Sequence, residues 1–143
     1  SARFDRKARL AEFLKRIWDE GEADAVDAFI APAYTIAHDP GDPWHGQTLT
    51  RDGFRQRLIQ SRAPFPDQKF TVVEMVGEGD SIAVTWLWAA THQGDLPGFA
   101  ATGKPIKMSG MTVYRFEGDK LASHWQMCDR LGVYGQLMAN AKG

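Results

Sequence analysis

The sequence predicts a single α+β domain over residues 1–143, with helices first and then an antiparallel meander that they can cover. Three observations carry this. Apolar residues in the first third recur at helical spacing. From Lys69 onward the period changes to two. Turns holding Gly and Asp then break the second half into hairpins. A chain of 143 residues can bury about 68–70% of its unfolded surface, so a core forms without disulfide or metal.

In chain order, Leu10, Phe13, Leu14, Ile17 and Trp18 fall on one helical face, and Arg9, Glu12, Lys15, Arg16 and Asp19 fill the other. Gly21 stops this helix. A short second helix over 24–31 carries Val26, Phe29 and Ile30 and ends at Pro32. Residues 33–38 read as a strand, and 39–46 as a loop punctuated by Pro and Gly. Thr50 can cap a third helix bearing Phe54, Leu58 and Ile59, which ends before Pro64. Strands follow over 70–76, 81–92, 104–116 and 121–129, and a C-terminal helix holds Leu131, Val133, Tyr134 and Leu137.

Four long strands after helices suggest a strongly curved sheet wrapped around a helix. In strand 81–92, Ile82, Val84, Trp86, Trp88, Ala90 and His92 share one side. Ala83, Thr85, Leu87, Ala89 and Thr91 share the other, which is also largely apolar. One side would meet the helices around a cavity. The other would meet a second subunit, giving a homodimer, unless the C-terminal helix folds back to cover it.

Composition excludes several function classes. Seventeen basic and 18 acidic residues are scattered along the chain, so neither a nucleic-acid face nor a polybasic membrane anchor is present. The longest apolar run, 86–90, is far short of a membrane span. The charged opening, 1–7, does not read as a signal peptide. Cys128 is the only cysteine, which rules out an intramolecular disulfide. The expected compartment is reducing, most simply the cytoplasm. No nucleotide-binding or Gly-x-Ser-x-Gly motif occurs, and the four His lack metal-ligand spacing, so neither a cofactor nor a metal is expected.

Asp129 is the carboxylate that stands out. Strand alternation from its neighbours places it beside Trp125 and Met127, where poor solvation would raise its pKa and suit it to general acid–base work. An ion pair with Arg130 or Arg115 would instead lower it, and both readings stay open. His92 ends the strand face of Trp86 and Trp88, either as a base at a cavity rim or as a histidine satisfied by a loop carbonyl. His38 has the same two readings. His124 and Cys128 have the opposite parity from Asp129, toward the outer or dimer-facing side. Phe65, Trp88, Trp125, Met108 and Met111 could line a pocket or simply fill the core.

A set of short stretches then matches in order: Phe65-Pro66-Asp67, Thr91-His92-Gln93-Gly94, Ala101-Thr102-Gly103-Lys104, 114–121, His124-Trp125-Gln126-Met127-Cys128-Asp129 and 132–137. In these the chain resembles the SnoaL-like polyketide cyclases (predicted ester cyclases) of the nuclear-transport-factor-2-like superfamily. The resemblance implies a cone-shaped α+β barrel enclosing a deep apolar pocket, and dimers, in some members tetramers, formed through the outer sheet face. It also implies intramolecular aldol ring closure without metal or cofactor, and it matches the family's acid–base Asp to Asp129 through Trp-x-x-x-Asp. The expected activity is therefore aldol-type cyclisation of an apolar carbonyl compound. Asp129 would be the acid–base and His92 a second donor, with Trp125, Trp88, Phe65, His38, Met108 and Met127 around the substrate. The alternatives are an isomerase, dehydratase or hydrolase in the same pocket, or a non-catalytic small-molecule-binding domain.

Overall fold

The computed structural model describes residues 5–143, and the first four residues of the charged opening stretch lie outside them. Helix α1 (Arg6–Phe13) is capped by Asp5, whose carboxylate accepts from the Ala8 N–H, and it runs on as a π-helical segment, Leu14–Asp19. Gly21, at φ +70°, ends it where the chain turns back. The second helix is shorter than its periodicity suggests. A 3-10 turn (Ala23–Ala25) leads into α2 (Val26–Phe29), and Ile30 already belongs to strand β1 (Ile30–His38). Pairing of Ile30 with Leu121 wins over helical period. Pro32, lacking an N–H, falls where the β1 register shifts.

A two-residue strand, β2 (Thr48–Leu49), precedes α3 (Arg51–Arg62), which starts where Thr50 Oγ1 accepts from the Gly53 N–H. Strands β3 (Lys69–Glu78), β4 (Ser81–Thr91), β5 (Pro105–Glu117) and β6 (Lys120–Cys128) form the expected meander. Helix α4 (Arg130–Ala141) ends the chain. The sheet order is β2-β1-β6-β5-β4-β3. The α+β class and curved sheet hold, with one difference from an all-antiparallel sheet. Strand β1 pairs with β6 in parallel, so the sheet is mixed, and it does not close on itself. No helix among the described residues is long and apolar enough to cross a membrane.

The helices bury Leu10, Phe13, Ile17, Phe29, Phe54 and Leu58 against the sheet's inner face, where Ile82, Val84, Trp86, Tyr114 and Phe116 wait. In β4 the alternation is regular: Ile82, Val84, Trp86, Trp88 and Ala90 all point inward. Strand β6 breaks the rule. Arg115 pairs with Ser123 but Phe116 with Leu121, so Ala122 is an extra residue, and both Leu121 and Ala122 are buried. This bulge flips the remaining alternation. His124, Gln126 and Cys128 therefore face inward, and Trp125 and Met127 face out, at 45% and 48% exposure.

Gly110 in β5 gives the Trp86 indole its space. A Cβ built there would sit 2.5 Å from Trp86 Cζ2 and 2.7 Å from Cys128 Cβ. Neither neighbour can swing away, since Trp86 Nε1 donates to Thr112 Oγ1 at 2.9 Å and Cys128 is held by its strand. Gly110→Ala is expected to cost about 1–3 kcal/mol, read as a lower urea midpoint at unchanged slope.

Candidate functional site

A cavity of about 750 Å³ lies between the inner sheet face and the helices. Trp18, Phe65, Trp86, Trp88 and Met108 wall it, and Leu96 and Phe99 of the 93–104 loop close it together with Val133, Tyr134 and Leu137 of α4. Phe99 meets Tyr134 edge-on, with ring centroids 5.6 Å apart. Helix α4 thus forms part of the cavity wall, with Gln136 bonded to both the N–H and the C=O of Lys107, instead of covering the outer face.

One end of the cavity is polar. Tyr34 from β1, Tyr114 from β5, His124, Gln126, Arg57 from α3 and Arg130 line it. Behind them, outside the lining, sits Asp39, fully buried at the end of β1. His124 Nε2 is 3.0 Å from Asp39 Oδ2, and His124 Nδ1 is 2.6 Å from the Tyr34 hydroxyl. An ionised carboxylate only accepts, so Nε2 carries the proton and Nδ1 accepts from Tyr34. The result is a chain from the cavity surface inward: Tyr34 O–H to His124 to Asp39.

Further bonds hold this chain in place. Gln126 Nε2 donates to both Asp39 oxygens at 3.2 Å, and Gln126 Oε1 accepts from Thr112 at 2.7 Å. Arg130 Nη1 donates to Asp39 Oδ1 at 2.8 Å, and Arg57 Nη2 lies 3.6 Å from Asp39 Oδ2 and 3.1 Å from Asp42 Oδ2. Burial alone would raise the Asp39 pKa, but the His124 bond and the Arg130 guanidinium outweigh it and hold the carboxyl below the usual range. Burial pushes the His124 imidazole down, and the Asp39 bond offsets only part of that. Burial, and after it Tyr114, pushes the Tyr34 phenol well up. The resting state is a neutral phenol and a neutral imidazole above a carboxylate.

The residues singled out from sequence divide between the two faces. Phe65, Trp88 and Met108 line the cavity. Trp125 and Met127 do not, because the Ala122 bulge turns β6 over, and His38 does not, because the β1 register shifts between Ile36 and His38. Trp125 stacks on His38 on the outer face, with centroids 4.3 Å apart. Asp129 is exposed and caps α4, accepting from the Gly132 N–H at 2.9 Å beside a shallow outer groove. It shares this groove with Met127, as strand alternation expects, but it does not line the cavity. His92 is fully buried against Phe65 and does not line this cavity, and neither ring nitrogen has a partner among the described residues. The loop bonds there, to Lys104 and from Gly103, use its backbone and not its ring.

His124 was expected outside and faces the cavity. Asp39, Tyr34 and Arg57 carry no motif, and Gln126 lies in the matching 124–129 stretch without being singled out there. A hint was present in β6 itself, since His124-x-Gln126 puts two hydrogen-bonding side chains on one face of a strand. Burial raises the thiol pKa of the half-buried Cys128, which leaves it a poor nucleophile.

The family model described as SnoaL-like polyketide cyclase matches residues 8–137. Among solved structures, a candidate polyketide cyclase from Acidithiobacillus ferrooxidans is 50% identical over 99% of both chains, with a TM-score of 0.93. IdmH, a candidate polyketide cyclase from Streptomyces antibioticus, is 24% identical over 94% of this chain and 99% of its own, with a TM-score of 0.79. AclR, a candidate hydroxylase from Streptomyces galilaeus, is 20% identical over 94% of this chain and 81% of its own, with a TM-score of 0.78. The last two share the fold alone, under different functional names. No curated protein matches the chain.

Proposed function

The chain belongs to the SnoaL-like polyketide cyclase family, and we propose that it catalyses intramolecular aldol closure of an apolar carbonyl compound by acid–base chemistry. The observation that carries this reading is the Tyr34–His124–Asp39 chain opening into a mostly apolar cavity. Its volume falls within the usual range of about 300–1,000 Å³ for small-molecule sites.

A carbon acid beside a ketone or ester gives its proton to the Tyr34 oxygen while Tyr34 passes its own to His124 Nδ1. Burial holds the Tyr34 phenol up, so the two moves are coupled and no free phenolate forms. Asp39 steadies the imidazolium. The enolate carbon then attacks the second carbonyl of the same molecule, and a C–C bond forms. The resulting alkoxide takes a proton back from Tyr34, and His124 returns the first one. Protons and electrons balance without a co-reactant. The apolar walls, Trp88 and Phe65 among them, would fold the substrate so that its reacting carbons meet.

Proton NMR in D₂O tests the reaction. With a panel of β-keto esters and 1,5-diketones, the protein is expected to accelerate α-proton exchange and then ring closure. Epoxide hydrolysis is the second reading, because Arg57 lies between the carboxylates of Asp39 and Asp42. Turnover of epoxides without any α-exchange would overturn the aldol reading in its favour.

We also propose a homodimer, in a reducing compartment such as the cytoplasm. Leu87, Met111, Val113, Trp125 and Met127 leave an exposed apolar strip on the outer sheet face, and α4 does not cover it. Light scattering at micromolar concentration is expected to give twice the 15.9 kDa chain mass. A monomer mass would rule the pairing out.

A further inference from the structure

Arg57 is the part of the site with the most unspent bonding capacity. It stands on the inward face of α3 at 5% exposure and lines the cavity. A guanidinium has five N–H donors. Among the described residues only Nη2 reaches a hydrogen-bond acceptor, Asp42 Oδ2, and Nε is buried with no partner at all. Buried donors without acceptors are costly, so such a group persists where something else supplies the acceptor. The plane is held in place by aromatic neighbours, since the guanidinium carbon lies 5.1 Å from the centre of the Trp18 ring and 6.0 Å from that of Phe54. Its position relative to the proton relay is fixed as well, because Arg57 Nη2 and His124 Nε2 approach the same oxygen, Asp39 Oδ2.

Charge says what kind of acceptor fits. Asp39 and Asp42 balance Arg57 and Arg130, and His124 is neutral at rest. The polar end is therefore uncharged before reaction. A permanent anion would leave it with an unbalanced charge. A neutral ketone would not, and the negative charge that it gains on enolisation appears together with the positive charge on His124. On the acid–base reading given above, we propose that Arg57 is the subsite for a carbonyl oxygen of a neutral substrate, and that it selects compounds carrying that oxygen. Trp18 and Phe54 orient the fork, and Asp42 anchors its far edge.

The test compares two probes of one skeleton. 1-Hydroxy-2-acetonaphthone carries an enolised 1,3-dicarbonyl unit, and 2-ethylnaphthalene lacks both oxygens. Quenching of tryptophan fluorescence reports binding of either to the full chain. Arg57→Met is expected to weaken the ketone at least about tenfold, the loss of a hydrogen bond to a charged group, and to leave the hydrocarbon within about twofold. Arg57→Lys keeps the charge that Asp42 needs and serves as the folded comparison should the Met variant not fold. It is expected to weaken only the ketone as well, because it loses the fork. Equal weakening of both probes, or of neither, would overturn the assignment of Arg57 while leaving the cavity reading intact. Failure of the unsubstituted protein to bind either probe would overturn both.

Discussion

Asp39→Asn is expected to destabilise the protein by about 3–5 kcal/mol, the usual cost of removing one partner from a buried ion pair. Asp39 is fully buried and receives bonds from His124, Gln126 and Arg130, with Arg57 close by. An Asn keeps the shape but turns an amide donor toward groups that are already donors. Asp42 is then left as the only carboxylate facing two guanidinium groups. In a chain of this length the melting temperature is expected to fall by about 10–20 °C. A fall worth less than about 1 kcal/mol would show that the network contributes little.

The pH dependence separates two contributions. Folding holds the Asp39 pKa below its ordinary value, so its stabilisation is present above about pH 3.9 and is lost as the pH falls through the folded value. Folding also lowers the His124 pKa. Below about pH 6.5 the unfolded chain therefore binds a proton that the folded chain refuses, and stability declines from there until the folded value is passed. The unsubstituted protein is expected to lose stability in two steps on acidification. Asp39→Asn should lack the lower step and keep the upper one, because removing the Asp39 bond pushes His124 further down. Urea titrations from about pH 8 down to about pH 2 check both.

Where a strand is regular, its residues can be assigned to a face by counting. Trp86 and Trp88 lie where alternation along β4 puts them, and Phe65 enters the same cavity because Pro64 and Pro66 fix the chain on either side of it. Counting fails on β6 because one inserted residue, Ala122, reverses everything after it. A bulge of that kind depends on how two strands pair, which no local pattern records. That reversal exchanged His124 for Asp129 and carried Trp125 and Met127 to the outside.

Asp39 was hidden for another reason. It sits at the head of a Pro–Gly loop that reads as solvent-facing, and the residues that bury it come from α3, β6 and the start of α4. The parallel β1–β6 pairing brings these distant segments together. Arg57 looks like a residue of a polar helix face until Asp39 and Asp42 are placed beside it.

The choice between the two carboxyl–imidazole assignments can be read from a pair of variants. Using any β-keto ester that the protein turns over, His124→Gln is expected to lower kcat by about 10²–10⁴-fold, since an amide can fill the space and bond Asp39 but cannot accept a proton. Asp129→Asn is expected to leave kcat within about twofold. Asp129 only caps α4 through the Gly132 N–H, and Asn caps a helix about as well as Asp. Asp129→Ala should then cost about 1 kcal/mol of stability and loosen a helix that walls the cavity, raising KM more than it lowers kcat. The reverse outcome, with His124→Gln active and Asp129→Asn inactive, would place the chemistry on the outer face. The inner cavity would then be a binding chamber only. The pH profile separates the cases further. A base held below its ordinary imidazole pKa by burial keeps working as the pH drops past about 6.5, so the acid limb of kcat belongs below that value if His124 carries the proton.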